Sequence, residues 1–228
     1  IIWKLKKIEI FSENLKDQTL LEFKNNNEEL FSIVKNFKFY ELLEKSLNKN
    51  NFFKKKNFQK KINLKKKYDL IINTDFSNNI TRKYFNKNII KKYNSFAYTT
   101  IIKHDKLKNN VAIQIFTKKG PLAFLPISNS ETSIVFSLDC NSKRKNENIK
   151  DLIKKYNIKY KIKKIEKFKS FELTSISLRS YYNKKLLAFG DLLHRIHPLA
   201  GQGFNMTIRD IKIFLSLIKE KQNLGLPL

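Results

Sequence analysis

The sequence predicts a mixed α+β and α/β fold, in which a parallel-sheet part is interleaved with an antiparallel sheet. Three observations carry this. Four β-rich segments, at 95–103, 111–116, 121–127 and 132–138, follow one another through short turn-like links, the pattern of antiparallel neighbours. A short apolar run at 186–189 ends in Gly190-Asp191 and leads through a loop into a long helical pattern, the order found in parallel sheets. A helical pattern at 37–47 and an apolar run at 70–72 precede the antiparallel block, so the two kinds of sheet alternate along the chain.

Element by element, residues 1–11 and 19–23 are rich in β-formers and are joined by a polar link, which predicts a hairpin. Phe39, Leu42, Leu43 and Leu47 fall at helical spacing. Residues 48–67 form a Lys/Asn-rich connection, and Leu70-Ile71-Ile72 reads as a short buried strand followed by a turn at 75–79. In the first strand of the antiparallel block, Phe96, Tyr98, Thr100 and Ile102 share one face. The four strands are expected as a meander, with Tyr98, Phe116, Phe124 and Phe136 in its core and His104 as a polar strand end. Residues 151–156 predict a short helix. The last helix is expected at about 205–220, with Ile211, Phe214, Leu215 and Ile218 as its packed stripe.

Composition sets limits on function. Lys plus Arg number 47 against 20 acidic residues, a net charge of +27, yet only five of the cations are Arg. Base-edge readers favour Arg for its planar fork. The abundance of Asn, Ile and Phe beside Lys is what adenine- and thymine-rich codons produce, so a solvated Lys surface is expected and a nucleic-acid partner is not. Weak attraction to an anionic membrane surface stays open, at about 1 kcal/mol per well-placed cation. The single Cys, Cys140, excludes a disulfide framework and a Cys-based zinc site. No apolar run approaches the roughly 18 residues of a spanning helix. The start at Ile1 does not read as a signal peptide, and together with the end at Leu228 it suggests a piece of a longer chain.

The chemistry is concentrated in residues 186–205. A buried strand delivers Asp191 at its carboxyl end, where α/β sheets bind ligands. An acceptor-only carboxylate there suits a polyol hydroxyl. A loop with Pro198 follows, and then Gly201-Gln202-Gly203 opens a helix. Glycines let backbone N–H groups approach a ligand closely, and a helix start favours negative charge. Asp191, His194 and His197 also have the spacing D-x-x-H-x-x-H. Pro198 and the glycines make this a loop rather than a ligand-presenting helix and no fourth ligand is offered, so no metal is expected.

Gly190, Asp191, His194, Pro198, Gly201, Gln202, Gly203, Asn205 and Asp210 match in register the second flavin motif of the FAD-dependent aromatic hydroxylases, which this stretch resembles; Leu192-Leu193 replace its usual Ala-Ala. Lys119-Gly120-Pro121-Leu122-Ala123-Phe124-Leu125-Pro126 and Ser133-Ile134-Val135-Phe136-Ser137 resemble the substrate-domain sheet of that family's ubiquinone-biosynthesis branch. Asp69-Leu70-Ile71-Ile72-Asn73-Thr74-Asp75 is similar to its D-L-V-V-G-A-D-G strand. The resemblance implies FAD as cofactor, NAD(P)H as co-substrate, and O₂ with a prenylated phenol as the reacting pair. It implies that Asp191 bonds the ribitol chain, that Gly190, Pro198, Gly201, Gln202 and Gly203 line the flavin, and that Phe204-Asn205 at the helix start face its pyrimidine edge. A lipophilic substrate implies a cytoplasmic protein peripheral to the inner membrane or held in a biosynthetic complex. No side chain is identified as an acid or base.

The resemblance also implies a division of the chain. Residues 1–36 would be substrate-domain strands, 37–82 part of an FAD-binding domain, 83–172 the antiparallel substrate sheet, and 173–228 the end of the FAD-binding domain with its following helix. Three departures stand out: no G-x-G-x-x-G unit occurs, Phe76 replaces a Gly, and Phe37 stands where an Arg is usual. The expected fold is therefore a partial FAD-binding domain, truncated at both ends and inactive alone. The alternatives are a related flavin-dependent reductase or halogenase, or a basic non-catalytic protein.

Overall fold

A computed structural model describes residues 2–15, 18–25, 28–56, 68–140, 148–196 and 202–227. In chain order the elements are β1 (Ile2–Leu5), β2 (Lys7–Ser12), β3 (Thr19–Lys24), β4 (Phe31–Val34), α1 (Asn36–Asn48), β5 (Ile71–Asn73), α2 (Asn79–Tyr84), β6 (Asn88–His104), β7 (Val111–Thr117), β8 (Gly120–Pro126) and β9 (Glu131–Asp139). There follow α3 (Ile149–Lys155), β10 (Ile162–Ile165), β11 (Lys169–Leu178), β12 (Tyr182–Asn183), β13 (Leu186–Ala188), a 3-10 turn (Gly190–Leu192), β14 (His194–Arg195) and α4 (Gln202–Asn223). The mixed fold expected from the sequence is observed. The chain divides into two compact units, one of 1–55 with 94–172 and one of 56–93 with 173–228.

The first unit is built on the antiparallel block, but the four strands do not form the predicted meander. Their order is β6-β9-β8-β7, a Greek key. The cause lies in the link from β6 to β7, which crosses the end of the β8–β9 hairpin instead of turning back. His104 N–H donates to Ser130 O at 3.0 Å and Leu107 N–H to Asn129 O at 2.9 Å. Asn109 Nδ2 donates to Ser128 O at 2.8 Å and to Thr132 Oγ1 at 2.9 Å. His104 sits beside it, with Nε2 3.0 Å from Thr132 Oγ1 and Nδ1 2.8 Å from Asp105 O. Tyr160 closes the cluster by donating to Asn109 Oδ1 at 3.0 Å. His104, Asn109, Thr132 and Tyr160 are all buried, so His104 ends β6 as expected but does so inside the core. Buried polar groups must be hydrogen-bonded or destabilise the fold, and here they hold the crossover.

With β6 beyond β9, the far edge of β7 is free for β2, which pairs with it in parallel from Lys7↔Val111 to Ser12↔Phe116. The β2–β3 hairpin is observed, with Ile8 opposite Phe23. Residues 1–11 are two strands rather than one, because β1 leaves the sheet to pair with β4, an element the sequence pattern did not reveal. Trp3 Nε1 donates to Asn109 O at 2.7 Å, tying β1 to the crossover.

Alternation gives the Greek key two unlike faces. Ile102, Ile113, Ile115, Leu122, Phe124, Ile134 and Phe136 are buried against Leu152, Ile153 and Tyr156 of α3 and the residue after it. Each fully buried aliphatic or aromatic side chain contributes roughly 1.5–3 kcal/mol. The opposite face carries Thr99, Ile101, Gln114, Phe116, Ala123, Leu125 and Val135. Phe116 is 45% exposed there, so it does not belong to the core with Phe124 and Phe136. Tyr156 anchors α3, donating to Glu13 Oε1 at 2.8 Å while Glu13 Oε2 accepts Lys118 N–H at 2.7 Å.

In the second unit β13 lies between β12, antiparallel, and β5, parallel. The core here joins Phe85, Leu178, Leu186, Ala188 and Leu192, with Ile71, Phe76, Ile80 and Tyr84 packed against it. Ile72 is 46% exposed, so β5 is buried on one face only. The predicted turn after β5 runs directly into α2, capped by Asn78 Oδ1 accepting Thr81 N–H at 2.8 Å. On α4 the inward stripe is Gly203, Thr207, Asp210, Phe214 and Ile218. Ile211 and Leu215, predicted to pack, are exposed. The register turned because Phe214, against Phe189, fixes which face meets the strand end.

Two outcomes follow for stability. Gly120, at the β7–β8 hairpin, has φ +132°, and a Cβ there would overlap the Ser137 carbonyl. Gly120→Ala should cost about 3 kcal/mol or more, read as a fall in denaturation midpoint. The Tyr156 hydroxyl is pushed up to about 12, by burial first and then by its bond to Glu13. A raised phenol stabilises the fold fully below its unfolded value near 10, and that contribution is lost as pH climbs through 12. Thermal midpoints measured from pH 9 to 12 should fall, and fall less steeply in Tyr156→Phe.

Candidate functional site at the carboxyl edge of β5 and β13

The site rests on three residue pairs. Ile71 lies opposite Leu186, Ile72 opposite Leu187 and Asn73 opposite Ala188, all in parallel. Phe189 N–H donates to Asn73 O at 3.0 Å, carrying the pairing one step further. Beyond it the two chains release Thr74-Asp75 and Gly190-Asp191 at the same edge of the sheet. Open parallel sheets bind ligands at this edge.

Gly190 makes the release sharp. Its φ is +61°, a left-handed conformation that suits glycine, and the chain enters the 3-10 turn at once. Leu192, fully buried, fixes the turn from below while Asp191 stays exposed. A Cβ on Gly190 would lie 3.9 Å from the Thr207 methyl and 4.0 Å from the Thr74 methyl. The β5 loop, the turn and the first turns of α4 therefore meet at this glycine. The Phe189 and Phe214 rings, 5.7 Å apart, hold α4 against the strand end.

The Asp75 loop is braced from within. Thr81 Oγ1 donates to Asp75 O at 2.5 Å and accepts from Asn73 Nδ2 at 2.8 Å. Asn78 Nδ2 donates to Asn73 Oδ1 at 2.7 Å. Asp75 Oδ1 accepts the N–H and the hydroxyl of Ser77, each at 2.8 Å. These bonds, the N–H first, hold the carboxyl below its ordinary value, so Asp75 is a carboxylate at neutral pH. Phe76, in place of the family's Gly, turns its ring into the cluster under β13. Arg195 lies over that ring at 5.9 Å from its centre.

At the start of α4, Gln202, Phe204 and Asn205 are exposed. A Cβ on Gly203 would meet nothing within 4 Å, so space is open beside the first turn. Pro198 and Gly201, named from the sequence, lie outside the described residues, as does His197. The edge thus offers two acceptor carboxylates, for hydroxyl groups, and an open flank on a helix. Sequence reasoning missed Asn73, Thr81, Thr207 and Arg195. Only the Asn78…Thr81 cap spacing signalled the brace in advance. Among the described residues no cluster of His, Cys, Asp and Glu suits a metal.

A protein-family model described as squalene epoxidase matches residues 67–225, more than half of the chain. The chain belongs to the squalene epoxidase family. The squalene epoxidase match takes in the whole carboxyl-edge site, from β5 to α4. Among curated proteins, the ubiquinone hydroxylase UbiL of Rhodospirillum rubrum is 24% identical over 147 residues, 59% of this chain and 33% of that protein. The mitochondrial ubiquinone biosynthesis monooxygenase COQ6 of Danio rerio is 23% identical over 193 residues, 66% of this chain and 40% of its own length. The chain thus spans a third to two fifths of these relatives. They agree with the resemblance to ubiquinone-branch hydroxylases read from the motif. The fold is also that of PqsL, a probable FAD-dependent monooxygenase of Pseudomonas aeruginosa: TM-score 0.74 at 13% identity, covering 97% of this chain and 70% of that one.

The two glycines should respond differently to a methyl group. Gly190→Ala forces a left-handed alanine and should lower stability by about 1–2 kcal/mol. Gly203→Ala enters open space on a helix and should leave the melting temperature unchanged or slightly raised. Thermal melts of the two variants check this.

Proposed function

We propose that the protein is an FAD-dependent monooxygenase that hydroxylates a phenolic ring carrying a polyprenyl tail, as in ubiquinone biosynthesis, with NAD(P)H and O₂. The observation that carries the reading is the carboxyl edge of β5 and β13, where Asp75, Gly190-Asp191 and the open flank of Gly203 meet. These residues fit the group. The Asp191 carboxylate would accept from ribitol hydroxyls, and the flavin ring would lie on the open side of Gly203. The start of a 22-residue helix would offer partial positive charge to its polar edge. Gln202, Phe204 and Asn205 would line that edge, with Pro198 and Gly201 completing the loop. FAD, when bound, supplies the redox and oxygen chemistry.

The chain's own part is binding, orientation and exclusion of water. The second unit takes the role of cofactor domain and the first that of substrate domain. The mainly apolar face of the Greek key, with Ala123, Val135 and Phe116 beside the polar Gln114, suits an aromatic ring and its tail. No residue is assigned a proton to move. Among the described residues no helix is long and apolar enough to cross a membrane. A lipophilic substrate and the Lys-rich surface favour peripheral attachment to an anionic bilayer, or a place in a complex that hands the substrate over.

The test is the visible spectrum of the full-length protein. Flavin bands should bleach with NAD(P)H, and faster when a prenylated phenol is present; a colourless protein would refute the reading. In the same protein, Asp191→Ala should lower flavin occupancy without lowering the melting temperature of the apoprotein.

A further inference from the structure

The edge of β5 and β13 has an electrostatic problem that the cofactor reading leaves unsolved. Asp75 and Asp191 both lie there, and among the described residues neither makes an ion pair. Carboxylates suit hydroxyl groups but repel phosphate, and a dinucleotide brings two phosphates. A cation close to this edge would offset that repulsion for a bound dinucleotide.

Arg195 is in that position. It follows the 3-10 turn on β14, paired through Ile176, and its guanidinium lies over the Phe76 ring at 5.9 Å. Phe76 is the residue after Asp75, so the stacking places the cation on the Asp75 loop itself. Arg195 is exposed and makes no ion pair among the described residues, so it does not neutralise Asp75 or Asp191. Its charge is available to a third party. The residue type matters too. Lys is the ordinary cation of this chain and Arg supplies only five of 47. A guanidinium stacks on a ring and presents a planar fork to phosphate, which an ammonium does not.

We propose that Arg195 is a phosphate-binding residue for a dinucleotide at this edge, and that Phe76 is the positioning residue that holds its guanidinium in place. On this view Phe76 is a functional substitution: its ring packs under β13 and its outer face carries the cation. The inference rests on the cofactor reading above. The phosphate belongs either to FAD or to NAD(P)H, and both are dinucleotides.

The experiment uses the full-length protein and two titrations, apoprotein with FAD and holoprotein with NADH or NADPH, followed by fluorescence quenching. Arg195→Gln should weaken one of them about tenfold at low ionic strength, the scale of one lost charge-assisted bond, with the defect shrinking as salt is added. The dinucleotide affected identifies the source of the phosphate. Phe76→Leu, which keeps apolar volume, should weaken the same dinucleotide. Phe76→Tyr should restore it, and Arg195→Gln with Phe76→Leu should be no worse than Arg195→Gln alone. Circular dichroism checks the fold of each variant; if Phe76→Leu fails to fold, Arg195→Gln and Phe76→Tyr decide. Wild-type affinity for both dinucleotides in Arg195→Gln overturns the proposal, and fully additive losses overturn the role of Phe76. A wild-type protein that binds neither dinucleotide overturns the cofactor reading instead.

Discussion

Everything at the candidate site depends on the parallel register of β5 with β13. Three residue pairs, flanked by the Ile71–Lys185 and Phe189–Asn73 bonds, define it, and it determines which residues emerge together at the sheet edge. A slip of one residue would exchange the two faces of the strand and bury Ile72 in place of Ile71 and Asn73. So short a strand pair needs support from its surroundings. It receives it from the cluster of Leu186, Ala188, Leu192 and Phe85 below and from the Asn73–Thr81–Asn78 bonds at the end of β5.

The first unit is organised by a different constraint, the disposal of buried polar groups. The six-residue crossover from β6 to β7 must run over a hairpin end, where its own backbone and side chains lose contact with water. His104, Asn109, Thr132 and Tyr160 satisfy one another and the hairpin carbonyls. Once the crossover is held, β7 is left with a free edge, and β2 fills it in parallel. The sheet order is thus a consequence of how one link is hydrogen-bonded.

Strong local signals were legible in the sequence. The β-rich segments from 95 to 138, the helices around 37–47, 151–156 and 205–220, and the Gly190-Asp191 turn all appear where period and turn chemistry put them. What failed was long-range. Link length did not distinguish a turn from a crossover, so the meander was expected, and the burial of His104 at the end of β6 was not. The stripe on α4 was misread because Ile211 and Leu215 are as apolar as Phe214, and only tertiary contact chooses among them. β4 carries too few residues to announce itself. At the site, Gly190 and Asp191 were readable because they stand where a short apolar strand ends and the chain must turn. Arg195 was not, because its significance comes from a ring 119 positions earlier in the chain, and nothing local marks it.

The single tryptophan of the chain gives the Greek key an optical label. Trp3 donates its indole N–H to the Asn109 carbonyl, so its emission senses the polarity and hydration of the crossover. Fluorescence followed during denaturation therefore times the release of β1 from the crossover and from β4, while the absorbance of any bound chromophore at the β5–β13 edge would time the other unit. Two signals from one sample would separate events that circular dichroism sums.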